Sequence, residues 1–136
     1  MRLVVDTNSM IRALLSPGPA RRFFTHAVLR HKIVYHAEQM LELRDVAARP
    51  RLKIAPGAVD ELAKRVERYG ERIESDLDAN LGCRDPDDDY LLAIALASAA
   101  EIILTEDDDL LVLNPWRGIR IIRLHQFLAD HPFSEA

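Results

Sequence analysis

The sequence predicts a three-layer α/β/α fold around a short, mostly parallel central sheet. Two observations predict it. Short apolar runs (Leu3 to Val5, Ile33 to Tyr35, Ile102 to Leu104 and Ile119 to Ile122) alternate with segments of helical periodicity. These runs are continuous rather than alternating in polarity, which is the pattern of strands buried on both faces. The chain has 136 residues, 49% of them hydrophobic, which is enough for one core and one domain spanning 1–136.

The elements follow in order. Leu3-Val4-Val5 reads as a buried strand ending at Asp6. Ser9 to Leu15 reads as a short helix, stopped by Ser16-Pro17-Gly18-Pro19. Ala20, Phe23, Phe24, Ala27 and Val28 recur at the spacing of an amphipathic helix. After the strand at Ile33 to Tyr35, a helix from Glu38 to Ala48 ends at Arg49-Pro50. Val59, Leu62, Ala63 and Val66 place another helix from Pro56-Gly57 to about Arg72. Glu74 to Cys83 is polar and reads as a loop. Asp85 as cap and Pro86 at the first helical position open a helix running to Ala100. The remaining segments are the strand at Ile102 to Leu104, a helical turn from Asp107 to Leu111, the strand at Ile119 to Ile122 and a short helix from Gln126 to Ala129.

Composition narrows the function. No window approaches the roughly 18 apolar residues of a membrane span. MRLVVDTN reaches a charge too early for a secretory signal. The single cysteine, Cys83, excludes an internal disulfide and a thiolate zinc site. A reducing cytoplasm and no membrane partner are expected. The net charge of −4 gives no global field for nucleic acid, although a local basic patch or bound cations can serve instead. The histidines at 26, 31, 36, 125 and 131 have no metal-ligand spacing. Trp116 and Cys83 read as packing residues.

The acids carry the chemistry. In open parallel sheets the functional crevice lies beyond the carboxyl ends of the strands. Asp6 and Asp107 follow two such ends, Asp85 to Asp89 open the helix leading into the third strand, and Glu42 lies in the helix after the second. Each has an ordinary explanation. The Asp87 to Asp89 and Asp107 to Asp109 runs suit first helical turns, with Thr105 a possible cap for the latter, and Glu42 suits a solvated helix face. Asp6 fits this explanation least, since an acid ending so apolar a strand has little capping work there and desolvating it is costly. Convergent carboxylates without Cys or His point to Mg²⁺ or Mn²⁺, which can bridge a phosphate and acidify water.

In VVDTN (Val4 to Asn8), LEL then ARPR (Leu41 to Arg51), CRDPDDDYLLAIALA (Cys83 to Ala97) and ILTEDDDLL (Ile103 to Leu111), the chain resembles the PIN-domain nucleases. It is most similar to the branch of toxin components of type II toxin–antitoxin systems, and IRIIRLHQFL (Ile119 to Leu128) is similar to that branch's closing strand and helix. The resemblance implies a PIN-like fold and catalytic, metal-holding acids at Asp6, Glu42, Asp88 and Asp107, with Asp109 a further acid. It also implies supporting polar residues at Thr7, Asn8 and Thr105. Two positions depart from the pattern: Glu106, where a small residue is common, and Ala37, where a Ser is.

Arg12, Arg21, Arg22, Arg44, Arg49, Arg51 and Arg84 lie on elements leading to the expected site mouth; Arg84, Arg49 and Arg12 are the candidates for RNA contact. The expectation is a metal-dependent endoribonuclease with an RNA substrate and an antitoxin partner. Phe23-Phe24 and the Ala-rich segments could supply the interface of a homodimer. The alternative is a catalytically silent PIN module binding RNA or protein. A phosphatase of the haloacid type would need a second acid at position 8, where Asn8 stands.

Overall fold

The computed structural model describes residues 1–74 and 89–132. The first strand, β1 (Arg2–Val5), occupies the centre of the sheet and runs directly into helix α1 (Thr7–Leu15). Helix α2 (Pro19–His26) and a 3-10 turn (Ala27–Leu29) lead to β2 (Lys32–His36). Helix α3 (Ala37–Ala47), a second 3-10 turn (Pro50–Leu52) and α4 (Pro56–Tyr69) lead to β3 (Glu71–Ile73). Then come α5 (Asp89–Ser98), β4 (Ile102–Leu104), the single turn α6 (Asp108–Leu111), β5 (Arg120–Ile122) and α7 (Leu124–Asp130).

The strand order is β3-β2-β1-β4-β5, and each neighbouring pair is parallel. The expected α/β architecture is therefore present, with the sheet wholly rather than mostly parallel among the described residues. Side chains alternate between two cores. Leu3, Val5, Ile33, Tyr35, Ile102 and Leu104 pack on the side of α1 to α4 and α7. Val4, Val34, Ile103 and Ile121 pack on the side of α5 and α6. Coverage on both faces is why the strands read as unbroken apolar runs.

Several expectations need correction. The helix expected to reach Arg72 stops at Tyr69, and Glu71–Ile73 adds a fifth strand at the sheet edge. Glu71 and Arg72 are exposed, so this edge strand carries no apolar run to betray it. Gly70 makes the turn possible. A methyl group on it would lie 2.5 Å from the carbonyl oxygens of both Ile33 and Val66. Backbone cannot yield cheaply there, so Gly70→Ala should lower stability by about 1–3 kcal/mol, read as a lower urea midpoint. Helix α1 begins at Thr7, two residues early, and α7 extends beyond Gln126–Ala129 at both ends.

Phe23 and Phe24 are buried, and Phe23 meets Phe24 and Phe127 edge to face at 5.1 and 5.7 Å. They fill the core of one chain and offer no surface to a second copy. The Ala-rich α5 is likewise turned inward at Ala93 and Ala95. Trp116 packs against the second core, as expected. The loop from Glu74, the cap at Asp85, Pro86 and Cys83 fall at or within 75–88, outside the described residues save for Glu74 itself.

Candidate active site

The sheet order reverses direction of growth between β1 and β4, and the crevice beyond their carboxyl ends is where such sheets bind ligands. Asp6 stands at the end of β1 and Thr105 to Asp107 at the end of β4. A backbone bond from Asp6 N–H to the Leu104 carbonyl, at 2.9 Å, ties the two ends together.

Asp6 is buried, with 6% of its surface exposed. Contrary to expectation it does cap a helix. Its Oδ1 accepts from the Asn8 N–H at 3.1 Å at the start of α1. Its Oδ2 accepts from the Thr105 hydroxyl at 2.8 Å. Burial raises the Asp6 pKa above its ordinary value; the bonds from Thr105 and Asn8 oppose this, while the charges of Asp107 and Glu106 add to it. A buried carboxylate raised by desolvation and by its acidic neighbours is a place where a cation is favoured.

Thr105 is fully buried and does not cap α6. Its hydroxyl oxygen accepts from the Asp107 N–H at 3.0 Å while its proton goes to Asp6, so one side chain ties the Asp6 carboxylate to the Asp107 backbone. The cap of α6 is Asp107, whose Oδ1 accepts from the Asp109 N–H at 2.9 Å. Asp6 and Asp107 line one open cavity of about 360 Å³ together with Asn8, Ile11, Arg12 and Glu106.

Glu42 is exposed on α3 and does not line that cavity. It is tied to the site through Tyr90, whose hydroxyl donates to Glu42 Oε2 at 2.8 Å. The phenol has one proton, so the Thr7 hydroxyl, 3.1 Å away and buried, donates to the phenol oxygen in turn. Burial foremost pushes the Tyr90 pKa up, with the Glu42 and Asp6 charges adding to it. Tyr90 thus stays a neutral donor to Glu42 and an acceptor from Thr7. Removing its hydroxyl strands a buried Thr7 and frees Glu42. Tyr90→Phe should therefore cost about 1 kcal/mol in chemical denaturation.

Among the described residues, no three His, Cys, Asp or Glu side chains gather into a metal cluster. The structure brings Asp6 and Asp107 together and holds Glu42 to one side. Asp88 and Arg84 lie outside the described residues. Asp109 meets Asp107 through its backbone, and its side chain does not line the cavity. Asp89, whose run suits a first helical turn, is buried in the first turn of α5. Arg12 lines the cavity, whereas Arg49 is exposed at the 3-10 turn after α3. Arg21 donates to the Ala13 carbonyl and Arg44 pairs with Glu67, so both have structural partners. At Ala37, where the resembled branch often has Ser, His36 supplies the α3 cap, accepting from the Glu38 N–H at 3.1 Å.

Three residues of the site carried no signal that sequence reading used. Gln39 is fully buried and its amide donates to the Val5 carbonyl, which anchors the helix of Glu42 to the strand of Asp6. Tyr90 is the second. Arg123 is the third: its guanidinium bonds Glu106 Oε2 and Asp108 Oδ1, each at 2.9 Å, and so straddles Asp107. A Gln three residues before Glu42 on one helical face, and a Tyr after an acidic run, were the available hints.

The PIN domain family model matches residues 2–109, which include Asp6, Glu42, Asp107 and the whole of β1 through β4. The chain belongs to the PIN domain family. Members of this family are generally nucleases, and the five-stranded parallel sheet is consistent with a PIN-like three-layer fold. No curated protein matches the sequence closely enough to serve as a relative. Among the described residues, no helix of this PIN domain is long and apolar enough to cross a membrane.

Proposed function

We propose that this PIN domain is a Mg²⁺- or Mn²⁺-dependent endoribonuclease, the toxin of a type II toxin–antitoxin pair, working in the cytoplasm. The observation that carries the nuclease reading is the pair Asp6 and Asp107 on one cavity wall, tied to Thr105 by the Asp6 carboxylate and the Asp107 backbone N–H. The donor set is all oxygen, and Asp6 is buried with acidic neighbours, which suits a hard divalent cation. Asp6 and Asp107 would hold it, with Asp88 and Glu42 completing the site. Such an ion supplies charge neutralisation for a phosphodiester and acidification of water.

The chain's own residues do the rest. Thr105 holds the Asp6 carboxylate by its hydroxyl proton and the Asp107 backbone N–H by its oxygen, and the Asp109 N–H sets Asp107 Oδ1. Tyr90 fixes Glu42 Oε2, leaving the other carboxylate oxygen to orient water. Arg12, on the cavity rim, is placed for a phosphate oxygen. Chelation by EDTA should abolish cleavage of single-stranded RNA and Mn²⁺ should restore it. Cleavage that persists in EDTA contradicts the proposal. The toxin role rests on the resemblance of the motifs, and a small DNA-binding protein encoded next to this chain would support it. A homodimer belongs to the same reading and needs a surface other than Phe23 and Phe24. Light scattering at the monomer mass across concentrations rejects the dimer.

A further inference from the structure

A second cavity, of about 330 Å³, adjoins the acidic one and shares two residues with it, Arg12 and Glu106. Its other walls are largely apolar: Leu15, Pro17, Pro19 and Ala20 from the α1–α2 turn, and Leu124 from α7. We propose that this cavity receives the nucleobase beside the cleaved phosphate and that Glu106 selects guanine there. The inference rests on the nuclease reading above.

Glu106 is rigid and oriented. Arg123 donates to its Oε2 at 2.9 Å and the Leu124 N–H to its Oε1 at 3.3 Å. A carboxylate offers about four lone-pair positions, so both oxygens keep acceptor capacity beyond these bonds. The result is a fixed pair of acceptors on the wall common to both cavities. Guanine presents two adjacent donors, N1–H and N2–H, that match such a pair. Adenine and cytosine present one amino donor beside a ring acceptor. Uracil presents one donor between two carbonyl oxygens, which a carboxylate repels. The apolar walls suit the faces of a base, and Arg12 sits where the chain of phosphates would pass from one cavity to the other. The charge of Glu106 next to a phosphate site is partly offset by Arg123.

The test is an NMR-monitored titration of the full chain with the four ribonucleoside monophosphates and inosine monophosphate, Mg²⁺ present. Guanosine monophosphate should bind about tenfold tighter than uridine monophosphate. Inosine monophosphate, which lacks the N2 amine, should fall between them. Glu106→Gln should remove most of the preference. Ala20→Phe, which fills the cavity from α2, should abolish guanosine monophosphate binding and preserve the Mn²⁺-dependent rise in Tm. Equal affinities for all five nucleotides, no binding at millimolar concentration, or a preference that survives Glu106→Gln would each overturn the proposal. Selective guanosine monophosphate binding by a chain that cuts no RNA would leave the subsite standing and remove the nuclease reading. RNA cleavage without nucleotide preference would do the reverse.

Discussion

Asp6→Asn is expected to lower RNA cleavage by about a hundredfold or more while making the metal-free protein more stable. The two effects have one cause. Asp6 is buried at the end of β1, with the charges of Asp107 and Glu106 close enough to push its pKa up. A carboxyl whose pKa is higher in the folded chain than in the unfolded one favours folding below its unfolded pKa. That advantage is lost as pH rises through the folded pKa, so at neutral pH the charged form carries its full penalty. Asparagine removes the charge and keeps an oxygen for the Asn8 N–H. In EDTA at neutral pH, the variant should therefore melt above the wild type, and the gap should close as pH falls through the raised pKa. A lower Tm for Asp6→Asn across the whole range would mean that the bonds from Thr105 and Asn8 outweigh the desolvation of the charge.

Mn²⁺ should raise the Tm of the wild type by roughly 10 °C at a concentration a hundred times its Kd. An ion that binds only the folded chain at that ratio adds about 2.7 kcal/mol. For a domain of this size each kcal/mol moves Tm by about 3–5 °C. The shift should disappear in Asp6→Asn and Asp107→Asn, which lose a ligand each. It should persist in Asp108→Asn, because the Asp108 side chain is 82% exposed and touches Arg123 rather than the cavity. Differential scanning calorimetry with and without Mn²⁺ distinguishes the three variants. An equal shift in all of them would place the ion elsewhere.

The parts of this site that were legible are those fixed by short-range pattern. Asp6 and Asp107 follow apolar runs whose burial on both faces is written in Leu3 to Val5 and Ile102 to Leu104, and a parallel sheet sends such residues to one crevice. What was illegible depends on neighbours far apart in the chain. Tyr90 meets Glu42 across 48 positions, and Thr105 meets Asp6 across 99. Periodicity says nothing about such pairs. Arg123 follows a strand and looks like any surface arginine until α7 brings it over Glu106 and Asp108. Asp6 was misread in one respect, because the helix after it starts two residues sooner than its apolar positions suggest, so the acid caps as well as faces the crevice. Phe23 and Phe24 show the converse: an amphipathic stripe reports that a face is buried, not whether its own core or another chain buries it. The edge strand β3 was hidden because only Ile73 of its three residues is even partly buried.

The central claim is that Asp6 and Asp107 form part of a metal-dependent phosphodiesterase site. The most direct measurement is end analysis of a defined single-stranded RNA incubated with Mn²⁺ and either the wild type or Asp6→Asn. The wild type should yield 5′-phosphate and 3′-hydroxyl ends, since water rather than the 2′-hydroxyl is the nucleophile, and the variant should leave the RNA essentially intact. Equal cleavage by both proteins, or 2′,3′-cyclic phosphate ends from the wild type, would contradict the account.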